Sequence, residues 1–374
     1  MLLETAFLVF WVFSFFRTPR KYCARYSSSG MDDEDGDELS TTTVSDLSPM
    51  AKFFLCSSSS LPLTKFHLSY RVMDEPTEPR PIPFTQSILN DAYRVRSVRN
   101  SRILRHVTTL CRTSPLKTHV IAQCIPSKYV SVKELTCGGM SRIYSAQVVD
   151  GPAVVIKTTD CSRGLGLHEY TSYQMLARAN VPIPSIHHVA MYGKYLIIIL
   201  SRHSFSLSSL LLALAGRAHS PETTTMLDAL LHNVRFLLRS FREKNITYCD
   251  FSPDNIMVDI DPETSCGKCI LIDPQFAVHT SRLARVMGRH WADNIDRVHF
   301  AFKVRALAMQ EPPMLPLAHT VCTEFLGYIP TEKQTKRWIL NVLPDGLRIA
   351  YDSVQNASKK SSRKQYGQKC NGCW

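Results

Sequence analysis

The chain has 374 residues, a formal net charge of +12 and 44% hydrophobic residues, which is ample apolar content for a real core. The charge is scattered and forms no basic stripe interleaved with aromatic side chains, so no specific nucleic-acid binding is expected. The 12 cysteines are spread over too long a chain for a disulfide scaffold, and reduced thiols in the cytoplasm or nucleus fit best.

Residues 6–16 are apolar and are followed by Arg17, Arg20 and Lys21. The run is shorter than the about 20 residues a membrane span needs. Glu4 stands where a secretory signal would carry its basic start. Membrane anchoring by residues 6–16 stays open beside an unstructured or interfacial N-terminus. Residues 1–65 hold the acidic cluster Asp32-Asp33-Glu34-Asp35-Gly36-Asp37-Glu38 and a Ser/Thr-rich stretch. Such composition buries too little apolar surface to offset chain entropy and reads as disordered. Residues 66–126 read as a linker with a short helix, marked by Pro79, Pro81, Pro83 and the basic stretch Arg94 to Arg105.

An ordered domain is expected over 127–345. Residues 129–135, 143–149 and 153–157 are strand-like, with Asp150-Gly151 as a hairpin signal between the last two. Residues 168–178 read as a helix that Pro182 and Pro184 terminate, and the apolar run 195–200 as a buried strand. From Glu222 to Lys244 the residues Met226, Leu230, Val234, Leu237 and Phe241 recur at helical spacing. Residues 256–260 and 270–272 form a predicted hairpin turning through 261–268. Residues 293–310 and 332–343 read as helices. The basic tail 346–374 reads as disordered; Lys359-Lys360 and Arg363-Lys364 fit a nuclear import patch or a solvated tail. The Cys266/Cys269 and Cys370/Cys373 pairs have zinc-like internal spacing but lie about a hundred residues apart. Strands with one helix come first and mainly helices follow, which is an α+β arrangement.

Four residues stand in the order a phosphoryl-transfer site requires. Such a site needs a cation on the nucleotide phosphates, oxygen ligands for Mg²⁺, and a carboxylate facing the attacking hydroxyl. Lys157 ends the apolar run Val154-Val155-Ile156 and needs an anionic partner there. Glu169 on the next helix is the natural one. Asp250 opens Asp250-Phe251-Ser252-Pro253-Asp254-Asn255, and Asp273 follows Ile270-Leu271-Ile272. Each has a plainer reading: a lysine emerging at a strand end, and a turn with an Asx cap. Gly138 and Gly139 with Ser141 sit in a turn that would bring backbone close to phosphates, or that is an ordinary hairpin turn.

From about Tyr129 to Met309 the chain resembles the protein-kinase-like superfamily. Leu135 to Ile143 occupies the frame of the glycine-rich loop, with Thr136 and Ser141 replacing its outer glycines. Tyr248 to Asn255 resembles the catalytic loop, with Tyr248 and Cys249 in place of the usual histidine and arginine. Asp273-Pro274-Gln275 stands where the family has Asp-Phe-Gly. No Ala-Pro-Glu motif follows, and Asp293 or Asp296 stands for the aspartate that braces the catalytic loop.

The resemblance implies a two-lobed fold with a small β-rich N-lobe and a reduced helical C-lobe. It implies ATP and Mg²⁺ as cofactors and a protein substrate phosphorylated on Ser or Thr. Lys157 and Asp250 would be catalytic. Gly138, Gly139, Ser141, Lys157 and Glu169 would serve ATP, and Asn255 and Asp273 the metal. Asp-Phe-Ser-Pro-Asp-Asn-Ile-Met-Val-Asp is most similar to herpesvirus-encoded kinases, which implies the host-cell cytoplasm or nucleus. Ile272-Asp273-Pro274-Gln275-Phe276-Ala277 is also similar to small-molecule kinases of the aminoglycoside and methylthioribose type. A pseudokinase acting as a binding module is the remaining alternative.

Overall fold

The computed structural model describes residues 76–107, 118–137, 141–161, 165–217, 220–261 and 263–339. The expected N-terminal segment 1–65, the tail 346–374, Gly138, Gly139, Cys370 and Cys373 lie outside the described residues. What is described is a mixed α+β arrangement with antiparallel sheets.

In chain order it begins with β1 (Ile82–Pro83), α1 (Gln86–Val107) and α2 (Thr118–Cys124). The strands β2 (Tyr129–Cys137), β3 (Ser141–Val148) and β4 (Ala153–Asp160) follow, then α3 (Leu165–Arg178), β5 (Ile186–Tyr192) and β6 (Tyr195–Ser201). These make a five-stranded antiparallel sheet in the order β2-β3-β4-β6-β5. A strand alternates its faces, and β4 shows the consequence. Val154 and Ile156 point into a core with Tyr144, Ile197, Ile199 and Ile121. Val155 and Lys157 therefore face the other side, where Ile198 and Leu200 pack with Tyr173 of α3. Lys157 pairs in register with Ile198.

After β7 (Phe205–Ser206) the chain turns helical, with α4 (Leu207–Ala215) and α5 (Pro221–Glu243). Ser220 caps α5 in a reciprocal box with Thr223, Pro221 opens the helix, and its apolar stripe ends on buried Phe241. Next come β8 (Ile246–Thr247), β9 (Ile256–Ile260), β10 (Cys266–Leu271) and β11 (Val278–His279). The helices α6 (Thr280–Met287), α7 (Arg289–Gln310), α8 (Leu315–Leu326) and α9 (Glu332–Arg337) complete the described chain. No helix among the described residues is long and apolar enough to cross a membrane.

Three sequence expectations shift. The 66–126 segment is more than a linker: β1 pairs with β10 through Ile82 and Gly267, and Ile82, Phe84, Ile88 and Ala92 are buried in the main core. Gly267 is required there, because a Cβ would lie 2.5 Å from the Phe84 ring. Helix α1 runs well past the expected short helix and packs on α4. The β9/β10 turn is also tighter than 261–268, since backbone pairing carries β10 back to Cys266. The last helix, expected over 332–343, is α-helical over Glu332–Arg337, where Thr331 and Gln334 cap it, and runs on as a π turn through Ile339; residues beyond 339 lie outside the description.

Candidate active site

Lys157 and Asp273 are 116 positions apart in sequence, yet Lys157 Nζ lies 2.8 Å from Asp273 Oδ1. The same ammonium lies 2.6 Å from Glu169 Oε1. Lys157 leaves β4 on the sheet face that α3 covers. Glu169 and Tyr173, one helical turn apart, share the face of α3 that meets it. Glu169 is fully buried, and Thr159 Oγ1 reaches its second carboxylate oxygen at 3.4 Å. Burial opposes the charge on Lys157, but the carboxylates of Asp273 and Glu169 outweigh it and hold the amine above its ordinary range.

Asp273 sits in a left-handed backbone conformation, with φ of 61°. A non-glycine residue is held there at a cost of about 1–3 kcal/mol. Its amide donates to the Tyr173 hydroxyl at 3.1 Å, and the Tyr248 hydroxyl donates to the carbonyl of Ile272 beside it. Asn255 lies next to this segment, because the Ile272 amide donates to the Asn255 carbonyl at 2.9 Å.

The Asp250 loop is packed by the residues that flank Asp250. Tyr248 and Phe251 are buried against Phe241 at the end of α5, and Phe251 also meets Phe300 of α7. Asp250, between them, keeps 22% of its side-chain surface exposed, enough to be reached from solvent. Asn255 Nδ2 donates to the Asp250 carbonyl at 2.9 Å and to its Oδ2 at 3.0 Å. That use of the amide NH₂ leaves the Asn255 carbonyl oxygen to face a cation. Burial pushes the Asp250 carboxyl up to about 6, against the pull of Lys303.

Cys249 is also left-handed, with φ of 70°. Helix α7 grips the peptide on both sides. Asp296 accepts the Tyr248 and Cys249 amides at 2.8 and 2.7 Å, and His299 Nδ1 donates to the Cys249 carbonyl at 3.0 Å. Asp296 is thus the bracing aspartate, while Asp293 pairs with Arg289 on the surface. A carbonyl can only accept, so His299 carries its proton on Nδ1. Burial, then the Lys303 charge, pushes His299 down to about 3 and keeps it neutral. Its buried Nε2 is 3.7 Å from Asp250 Oδ1.

A cavity of about 550 Å³ adjoins these groups. Leu135, Ile143, Val155, Leu200 and Met257 give it apolar walls, and Lys157, Tyr173 and Asp273 line its polar end. Ser141 opens β3 opposite Thr159. His299, Tyr173 and the Tyr248 hydroxyl were not singled out by sequence reasoning. Only their helical spacing from Asp296 and Glu169 hinted at the first two.

Among the described residues no group of three or more His, Cys, Asp or Glu gathers to hold a metal. Asn255 and Asp273 are two oxygen donors, which suits Mg²⁺, an ion that takes its remaining oxygens from phosphates and water. Cys266 and Cys269 are free thiols in the β9/β10 hairpin, the second of them buried. No family model and no curated protein matches the chain.

Proposed function

We propose that the chain is an ATP- and Mg²⁺-dependent phosphotransferase with a two-lobed, protein-kinase-like arrangement, acting on a protein Ser or Thr hydroxyl. The sheet of β2 to β6 with α3 serves as the small lobe, and the helices from α4 onward serve as a reduced second lobe. The observation that carries this reading is the Lys157 ammonium, shared by Glu169 and Asp273 at the polar end of an apolar-walled cavity.

Each group has a task. The apolar walls suit a nucleotide base, and Lys157 supplies positive charge to its phosphates. Glu169 holds the lysine in place. Asn255 and Asp273 are the residues that would hold Mg²⁺, which when bound neutralises charge on the phosphates. Asp250 takes the proton of the acceptor hydroxyl as its oxygen bonds to the γ-phosphorus. The bond from that phosphorus to the β–γ bridging oxygen breaks, and ADP leaves.

Differential scanning fluorimetry tests the binding step. ATP with Mg²⁺ should raise Tm, by about 2.7 kcal/mol of added stability at a hundred times Kd, and ATP without the metal should do less. No shift under either condition would leave a nucleotide-free binding module as the better account. A radiolabelled ATP assay on protein substrates beside a sugar panel separates the protein kinase from a small-molecule kinase.

The grip of α7 on Cys249 yields a further expectation. His299→Phe orphans the buried Cys249 carbonyl, at a cost of about 1–3 kcal/mol. If that loosens the loop, kcat falls roughly 10- to 100-fold with the KM for ATP little changed. His299→Asn, whose amide can donate to the same carbonyl, should recover much of the loss. Equal kcat in all three proteins would show that the contact merely packs the helix.

A further inference from the structure

The cavity has a second charged region that the chemistry above does not use. Arg96 of α1 and Arg202, just after β6, both line it, and Arg202 is exposed. Arg96 is anchored: its Nη1 donates to the Ser204 carbonyl at 2.6 Å, and Tyr93 on the same helix meets the Phe205 ring edge-on at 4.5 Å. A guanidinium has five donors in a fixed fork, so most of those on Arg96 remain for another partner. Burial and the nearby Arg202 charge lower the pKa of Arg96, so the two cations lie close enough to repel. Neither has a carboxylate partner among the described residues. Of the carboxylates that line the same cavity, Glu134 and Asp254 meet Arg142 and Ser208, and Asp273 meets Lys157.

Two adjoining guanidiniums facing a cavity favour an anion. The charge of ATP is all on its triphosphate, which belongs at the Lys157 end, while its base and sugar are neutral. An anion bound at this end would therefore come with the acceptor, and the exposure of Arg202 places the pair where a molecule entering from solvent meets it. We propose that Arg96 and Arg202 form a subsite for acidic side chains of the protein substrate, so that the enzyme selects Ser or Thr in an acidic sequence context. The inference rests on the phosphotransferase reading and adds the substrate class to it.

The test uses the full chain and fluorescein-labelled serine peptides flanked by Glu, by Ala or by Lys. Anisotropy measures binding without any need for turnover, and radiolabelled ATP measures transfer. The Glu peptide should bind best. Arg202→Ala should weaken it about tenfold, the loss of one charge-assisted hydrogen bond. Arg202→Glu should shift the preference toward the Lys peptide. Arg202 is exposed, so neither change threatens folding, and Arg96→Lys supplies a conservative check on the anchored partner. The KM for ATP should not move. Equal binding of the three peptides, or an Arg202 effect of the same size on ATP, overturns the subsite whether or not transfer occurs. Selective binding of the Glu peptide with no transfer to any peptide keeps the subsite and sinks the enzyme reading instead.

Discussion

Asp250→Asn should lower phosphoryl transfer by several orders of magnitude while the affinity for ATP with Mg²⁺ stays near that of the parent. Asparagine keeps the shape of the side chain and its contact with Asn255, but it cannot accept the hydroxyl proton. General-base catalysis supplies about 10²–10⁴ in rate, and the orientation of the hydroxyl adds to that. The nucleotide is held by other groups, Lys157 and the cavity walls, so binding is spared. Isothermal titration beside single-turnover kinetics would measure both. A parallel loss of binding and transfer would contradict the role given to Asp250.

The same carboxylate sets a pH dependence. Burial raises Asp250 to about 6 from an ordinary 3.8, so kcat should fall about tenfold per unit as pH drops below about 6. Stability should move the other way. A buried acid whose pKa is raised on folding binds its proton more readily in the folded state, so protonation favours that state. As pH falls from about 6 toward 3.8, this group ceases to destabilise the fold. Asp296, which burial pushes up to about 7, acts in the same sense. Activity and stability from these two groups should therefore diverge on acidification.

Lys157→Met has the second large effect, and it is double. Transfer should be abolished, because the cation for the phosphates is gone. The fold should also suffer, since Glu169 is fully buried and would face Asp273 with no cation between them. Removing one member of a buried ion pair costs about 3–5 kcal/mol. The double variant Lys157→Met with Glu169→Gln should recover much of that stability and none of the activity. Urea unfolding of the two variants separates catalytic loss from structural loss. An unchanged midpoint for the single variant would mean that Glu169 simply takes up a proton.

Much of this site was legible in the chain. Val155 and Lys157 alternate with Val154 and Ile156, and that period of two puts the lysine on the opposite face from the core. The apolar spacing of α5 placed the Asp250 loop at the end of a long helix. Helix α4 was harder to read, because Leu207–Ala215 is almost uniformly apolar and carries no polar face of the kind that betrays an amphipathic helix. Helix α8 does carry one: buried Leu317, Ala318, Val321, Cys322, Phe325 and Leu326 alternate at helical spacing with His319, Thr320, Thr323 and Glu324. Strand β1 is two residues long, and only its pairing with β10 defines it.

What the amino-acid order determined by itself is local: which residues alternate, which recur every helical turn, and which polar side chains interrupt apolar runs. Those follow from backbone geometry over a few residues. The tertiary structure alone decided that Lys157 meets Asp273, that α7 takes hold of Cys249 from both sides, and that Arg96 reaches Ser204. Each of these joins segments distant in the chain. The left-handed backbones of Cys249 and Asp273 belong with them, because an isolated peptide would relax from such conformations. They persist only where burial and hydrogen bonds from remote elements outweigh the strain.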